Sequence, residues 1–379
     1  MKKKYVVLSI ITLVLLIAFV TSFNYFKNSN TYVENNSNNQ TKITKGISMN
    51  LEQTAGAGDY KQVTQSSWPT EGYKFNAELS KCENGGEISW DDTKKAVIVS
   101  GNLSDKCYVY FDIYQPTLAE YIKSQYTGTQ GENSLYYHNS SLTNGAGDNS
   151  YRYAGASDSV NNYICLGSDE ATCPDANLFR IIGVFGDKTK VIRAKSVGYK
   201  EWHTSRVNTW SSSSLNTYLN GEYLTSLGTL VGKIATTTWK VGGGSWSNII
   251  TSVPKAYQNE VGSSASTTTV DKKIGLMYVT DYYYSASPSA WTLMGYNPHD
   301  ATIDYRAAKT INWLYGKESE WTISRSSDTT DEAVMVGGIE SVDNQFVTVR
   351  AVARPSFNLE SSVKYVSGSG SMSDPVRIK

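Results

Sequence analysis

Three lysines, Lys2-Lys3-Lys4, are followed by YVVLSIITLVLLIAFVTSF, a charge-free run over residues 5–23. At about 1.5 Å rise per residue, a helix of this length approaches the roughly 30 Å hydrocarbon core of a bilayer. Lysines before the run and only Lys27 close behind it predict a cytoplasmic N-terminus and an outward-facing remainder. The reading is a transmembrane anchor over residues 1–23. Its rival is a cleaved signal peptide, for which Val20-Thr21-Ser22 offers small residues without Ala-x-Ala. In both cases everything that folds does so outside the cytoplasm.

That compartment sets the reading of Cys82, Cys107, Cys165 and Cys173, which allow three pairings. An exported even set reads as disulfides. The local pairing, Cys82–Cys107 and Cys165–Cys173, keeps each bridge inside one module. Zinc is disfavoured because there is no C-x-x-C and the three histidines are scattered. Lys+Arg 35 against Asp+Glu 35 gives no basic footprint, so nucleic acid is excluded as a partner. Charged residues make up 18%, below the roughly 25% of a typical soluble domain, while Tyr 27 and Trp 9 are high. The mix suits strands, turns and an uncharged, aromatic-studded surface.

Residues 24–42 are Asn-rich and apolar-poor, the pattern of a disordered linker lifting the rest from the membrane. From Tyr73 the pattern has period two. Phe75, Ala77 and Leu79 alternate with polar neighbours, and Cys107, Val109, Phe111 and Ile113 share one face. Glu87–Trp90 and Ala96–Val99 around Asp91-Asp92-Thr93-Lys94 read as a hairpin. A probable strand signal also lies at Ile47–Leu51. Residues 43–115 are expected to form a small immunoglobulin-like β-sandwich, with Cys82–Cys107 joining its two sheets.

Pro116 marks a boundary. Thr117 and Glu120 make a capping box before the stripe Leu118, Tyr121, Ile122 and Tyr126. Phe179–Phe185 and Val191–Ala194 read as a hairpin, and Ser213–Leu227 as a helix capped by Ser211 or Ser212. Strands are expected at Ile234–Val241, Ile274–Val279, Trp321–Ser324, Val334–Val336, Ile339–Val342 and Phe346–Ala353. One sizeable helix, many strands and long loops predict an α+β domain over residues 117–379, holding Cys165–Cys173.

Several strings carry a resemblance: YHNSSLTNGAGDNSYRYAG, NNYICLGS, TCPDANLFRIIGVF, KIGLMYVTDYYY, SDKCYVYFD and the ending VRAVARPSFNLESSVKYVSGSGSMSDPVRI. Over about residues 65–379 the chain resembles exported surface proteins of low-GC Gram-positive gut bacteria, which implies surface exposure. The order of elements in its C-terminal part is similar, more distantly, to C-type-lectin-like and formylglycine-generating-type domains. That likeness implies a strand and helix before Trp-rich loops, with a terminal V-R-x-x-x-R-P strand returning beside the first. The oxygen-activating cysteine pair of the formylglycine enzymes has no counterpart here, so no catalytic residue is carried across.

The residues favour recognition over catalysis. There is no G-x-S-x-G, and His138, His203 and His299 sit in polar sequence. No local signal marks a carboxylate pair for glycoside hydrolysis. Calcium could sit among Asn144, Asp148 and Asn149, or Asp328, Asp331 and Glu332; neither loop has EF-hand spacing, and each also reads as an ordinary turn. No other cofactor is implied. Seven tryptophans fall beyond residue 200: Trp202, Trp210, Trp239, Trp246, Trp291, Trp313 and Trp321. Most should be core. Trp202 beside His203, and Trp246 after Gly242-Gly243-Gly244, are the two expected to be exposed. With His203, Tyr283 and Trp291 they form the candidate ligand-binding set, for a glycan or another cell's surface. Arg350 and Arg354 share a strand face, as ion-pair partners or ligand contacts. The expectation is a single-pass cell-surface adhesion protein; the enzyme alternative is an envelope- or glycan-acting hydrolase, or a formylglycine-type oxidase.

Protease added to intact cells should remove everything beyond about residue 45. Protection of the C-terminal region until lysis would reverse the orientation.

Overall fold

The structure is a computed structural model that describes residues 46–64, 68–69, 72–102, 105–291, 308–338 and 341–379. The expected anchor and residues 24–42 lie outside these, as do His299 and most of the loop after Trp291. Among the described residues no helix is long and apolar enough to cross a membrane. The fold is mostly β-sheet with short helices, and the chain divides into two compact units between Gln115 and Pro116.

In the first unit β1 (Ile47–Glu52), β2 (Tyr60–Val63), β3 (Tyr73–Cys82) and β6 (Cys107–Ile113) form a sheet in the order β2-β1-β6-β3. β1 and β6 run parallel and the other pairs antiparallel. β4 (Glu87–Asp91) and β5 (Ala96–Ser100) form a separate hairpin. Its turn is made locally, where Asp91 Oδ1 accepts the Thr93 and Lys94 N–H groups at 2.9 Å each. Val97 and Val99 of the hairpin join Met49, Leu51, Val109 and Phe111 of the sheet in one core, consistent with a small sandwich. Trp90 meets Phe111 edge-on, with ring centroids 5.5 Å apart. The alternation read in β6 holds, since Cys107, Val109 and Phe111 are buried. The bridge differs from expectation. Cys82 and Cys107 are directly opposite on the antiparallel neighbours β3 and β6, so the disulfide staples one sheet and does not join two.

In the second unit Thr117 caps the helix Leu118–Ser124: Glu120 N–H donates to Thr117 Oγ1 at 3.1 Å and Thr117 N–H to Glu120 Oε2 at 2.7 Å. The main sheet comprises β7 (Leu135–Tyr137), β8 (Tyr151–Tyr153), β9 (Tyr163–Cys165), β10 (Leu178–Phe185), β11 (Lys188–Arg193), β15 (Ile274–Gly275) and β20 (Ser356–Leu359). Its order is β15-β20-β11-β10-β8-β7, with β9 also on β10. A second sheet has the order β12-β19-β16-β17-β18, from β12 (Tyr199–Glu201), β16 (Glu320–Arg325), β17 (Glu332–Gly337), β18 (Ser341–Phe346) and β19 (Arg350–Val352). Two short pairs complete it: β13 (Thr237–Lys240) with β14 (Thr269–Lys272), and β21 (Tyr365–Ser367) with β22 (Arg377–Ile378). Cys165 and Cys173 are bonded, as their local spacing suggested.

Three expectations need correction. The helix expected over Ser213–Leu227 is present over Ser214–Ser226, widened by a π turn at Leu219–Tyr223, but its cap is Ser213, whose Oγ accepts Asn216 N–H. Within the widened turn Asn220 exchanges two hydrogen bonds with the Ile274 backbone, at 2.8 and 3.0 Å. The Ile274–Val279 strand stops at Gly275, because Val279–Tyr284 is helical. Phe346–Ala353 is cut by a turn, so Phe346 ends β18 and β19 begins at Arg350.

β10 is buried along nearly its whole length and is bulged between Ile181 and Gly183. A Cβ on Gly183 would stand 2.2 Å from Tyr151 O. Gly183→Ala should therefore push β8 from β10 and cost about 1–3 kcal/mol, the usual range for overpacking. Thermal unfolding checks this; an unchanged melting temperature would show that β8 can yield freely.

Candidate functional site

The aromatic set chosen from sequence is mostly interior. Trp202 is 0% exposed and its indole N–H donates to Thr322 O at 3.0 Å. Its expected exposure is thus overturned: β16 supplies a carbonyl for the ring's one polar atom, so burial costs no lost hydrogen bond. Trp291 is also fully buried, with its N–H on Ala286 O, and Tyr283 is buried with its hydroxyl on Ile249 O. Trp246 is half-buried at the start of the helix Trp246–Ile249, its backbone N–H held by Asp328. His203 is half-buried, and its Nδ1 accepts Ser205 N–H at 3.3 Å. No ring contact joins Trp202, Trp246, Tyr283 and Trp291 into one platform among the described residues. The glycines before Trp246 have another use. A Cβ on Gly243, at φ +66°, would lie 2.0 Å from Arg325 O, and one on Gly242 2.1 Å from Ser266 Oγ. They admit neighbouring chain closely; they do not free a loop.

His138, just beyond the end of β7, is interior. It is fully buried, edge-on to Tyr284 and beside Trp291, and its Nδ1 accepts Ala146 N–H at 3.1 Å. The proton therefore sits on Nε2, which has no partner among the described residues. Burial, reinforced by nearby Arg152, holds this imidazole well below its usual 6.5. Arg152 lies under the rings of Phe185, Tyr257 and Tyr284, at 4.6, 5.0 and 4.9 Å, and pairs with Asp148 at 2.6 Å. Burial alone would raise the Asp148 carboxyl. Arg152, Ser150 and Tyr257 outweigh it and hold the group well below the carboxylate range. Three of the carboxylates read as calcium ligands are already engaged: Asp148 on Arg152, Asp331 on Arg206, Asp328 on Trp246. Among the described residues no three His, Cys, Asp or Glu side chains converge as a metal site.

The strand face of Arg350 and Arg354 divides in use. Arg354 is held by Glu320, with Nε at 2.9 and 2.8 Å from the two carboxylate oxygens and Nη2 at 2.7 Å. Arg350 is exposed and donates to Tyr199 O.

Arg350 borders one of two clefts that share Tyr218. The first, about 350 Å³, is lined by Tyr199, Lys200, Glu201, Ser214, Tyr218 and Arg350. The second, about 570 Å³, includes Asn177, Arg193, Tyr218, Tyr223, Ser226 and Thr229, and no Asp or Glu. Both lie in the size range of small-ligand sites. Three elements build them: the end of β11 brings Arg193, β12 brings Lys200, and the helix from Ser214 brings Tyr218 and Tyr223. Lys200 Nζ lies 3.9 Å from the centre of the Tyr218 ring. Arg193 gives Nη1 to Ser196 O at 3.0 Å, and no carboxylate pairs with it among the described residues. Tyr223 is buried, its hydroxyl has no partner among the described residues, and burial pushes that hydroxyl well above its usual pKa. In the second cleft a cation, aromatic rings and hydroxyls with no Asp or Glu in the lining suit an anionic, hydroxyl-rich ligand. The sequence reading missed Arg193, Lys200 and Tyr223, and took in Tyr218 only as a residue within the helix expected over Ser213–Leu227.

No family model, no curated protein and no solved structure matches this chain.

His138 generates a pH expectation. Its folded-state pKa lies below the unfolded value, so the unfolded chain takes a proton that the folded chain refuses. This contribution to stability is intact above pH 6.5 and falls as pH drops below it. Denaturant unfolding at stepped pH should show the decline, and His138→Asn should flatten it just below pH 6.5. Parallel profiles for the two proteins would refute a neutral buried imidazole.

Proposed function

We propose that this chain is a single-pass cell-surface recognition protein. Residues 5–23 anchor it, residues 24–42 raise it, the first unit serves as a disulfide-stapled spacer, and the second unit binds ligand. The carrying observation is the cleft pair around Tyr218, with Arg193 unpaired by any acid among the described residues. Two disulfides support an oxidising, extracellular setting. The ligand class that fits is a carboxylate-bearing glycan. The guanidinium meets the carboxylate, the Tyr218 ring lies against the sugar's CH face, and Ser and Thr hydroxyls meet its hydroxyls. A lectin-like layout of the second unit is part of this reading, with ligand carried by loops and strand ends on a rigid sheet.

The test is binding of the detergent-solubilised full chain to a glycan array holding uronic-acid and neutral glycans. Uronic-acid glycans should be retained and their neutral counterparts not. Arg193→Ala should weaken retention by tenfold to a hundredfold, since a hydrogen bond to a charged group contributes about 1.5–3 kcal/mol. Its melting temperature should hold, because the Arg193 side chain makes a single hydrogen bond within the protein. Equal binding of neutral glycans, or no loss in the variant, would count against this cleft.

A further inference from the structure

A second polar cluster, independent of the clefts, lies inside the second unit. Lys190 projects from β11 into a box of rings: Tyr278 at 4.5 Å, Trp239 at 5.3 Å and Phe185 at 5.8 Å from its Nζ. There it meets Asp281, 91 residues away, with Nζ 2.5 Å from Oδ2. The two side chains are 6% and 3% exposed. Asp281 stands in the first turn of the helix Val279–Tyr284, and its Oδ2 also accepts Tyr278 N–H at 2.8 Å. Oδ1 makes no hydrogen bond to the described residues. The turn is fixed from outside by a further buried carboxylate. Glu260 accepts Val279 N–H and Thr280 N–H at 2.9 Å each, and the Thr280 and Ser324 hydroxyls.

We propose that Lys190 Nζ and Asp281 Cγ become joined by an amide bond that the folded protein makes for itself. A dry ring box penalises the charge on the Lys190 ammonium, which favours the neutral amine there relative to water. Burial pushes the Lys190 amine below its usual pKa, in the same direction. A desolvated lysine amine is a nucleophile. Attack of Nζ on Cγ places negative charge on Oδ2, where the Tyr278 N–H already points, the arrangement of an oxyanion donor. The Cγ–Oδ1 bond then breaks. Oδ1 leaves as water carrying two protons, both from Nζ, which began with three and keeps one. No electrons are gained or lost overall and no co-reactant is needed. Holding the partners in contact supplies an effective concentration of about 10⁵–10⁸ M for well-oriented groups. The product removes two buried charges and leaves Oδ2 as a carbonyl for Tyr278 N–H. Glu260 is a positioning residue, since it holds the turn that presents Asp281.

The test is mass spectrometry of the reduced, denatured full chain, followed by protease mapping. The expected result is a mass short by one water and a branched peptide joining 190 to 281. Lys190→Arg keeps a cation opposite Asp281 but has no nucleophilic amine; its mass should match its sequence and both peptides should be linear. Glu260→Gln should fold yet cross-link more slowly, seen as a mixture of full and water-deficient mass that matures with time. Linear 190 and 281 peptides in the unaltered protein after prolonged incubation would overturn the proposal, and so would a branched peptide between other residues.

Discussion

The hairpin of β10 and β11 is the constraint on which the second unit depends. β10 takes partners on both edges, β11 on one side and β8 and β9 on the other, and β11 in turn pairs β20. A strand covered on both faces and paired on both edges cannot shift register without moving every neighbour. Gly183 permits this crowding, because only a residue without Cβ lets the Tyr151 carbonyl so close. The charged residues that matter most leave from the same hairpin. Arg180 turns inward to Asn162 and the Trp313 ring, Lys190 into its aromatic box, and Arg193, at the strand's end, toward the cleft.

Charges inside such a core need explicit partners. Arg180 solves the problem without a carboxylate, using Asn162 Oδ1, the carbonyls of Val160 and Trp313, and two aromatic faces. Arg354 uses Glu320, and Arg152 uses Asp148 with three rings. Against this background Arg193 stands apart, with one carbonyl for company on the wall of an open cleft. The same contrast explains why aromatic abundance misled the search for a site. Five indole N–H groups, of Trp202, Trp239, Trp291, Trp313 and Trp321, each end on a backbone carbonyl, so the rings could be buried whole.

What could be read in the sequence was what is settled within a few residues. The capping box at Thr117, the Asp91 turn, the alternation of β6 and the Cys165–Cys173 bridge all need only neighbours. What could not be read was set by partners far along the chain. Trp202 is buried because Thr322 supplies its acceptor, and the helix after Ser213 holds a π turn whose Asn220 is bonded to Ile274. The triple glycine reads locally as a hinge, yet Arg325 and Ser266 are what require it. The cleft draws on Arg193, Lys200, Tyr218 and Arg350, which share no local pattern.

One closure has a consequence for the order of folding. The helix at Leu118 is seated by residues far downstream: Leu118 N–H donates to Val363 O, Tyr365 N–H to Pro116 O, and the Tyr121 ring stacks on Tyr365 at 3.6 Å. Val376 likewise closes on Cys165 and Tyr163. A chain emerging N-terminus first can complete the β1–β6 sheet early, but it cannot lock the second unit until residues 363–376 arrive. Until then the apolar face of that helix, Leu118 and Ile122, lacks its full cover. The second unit is therefore a late-closing domain of high contact order, whose open form lasts as long as its synthesis does.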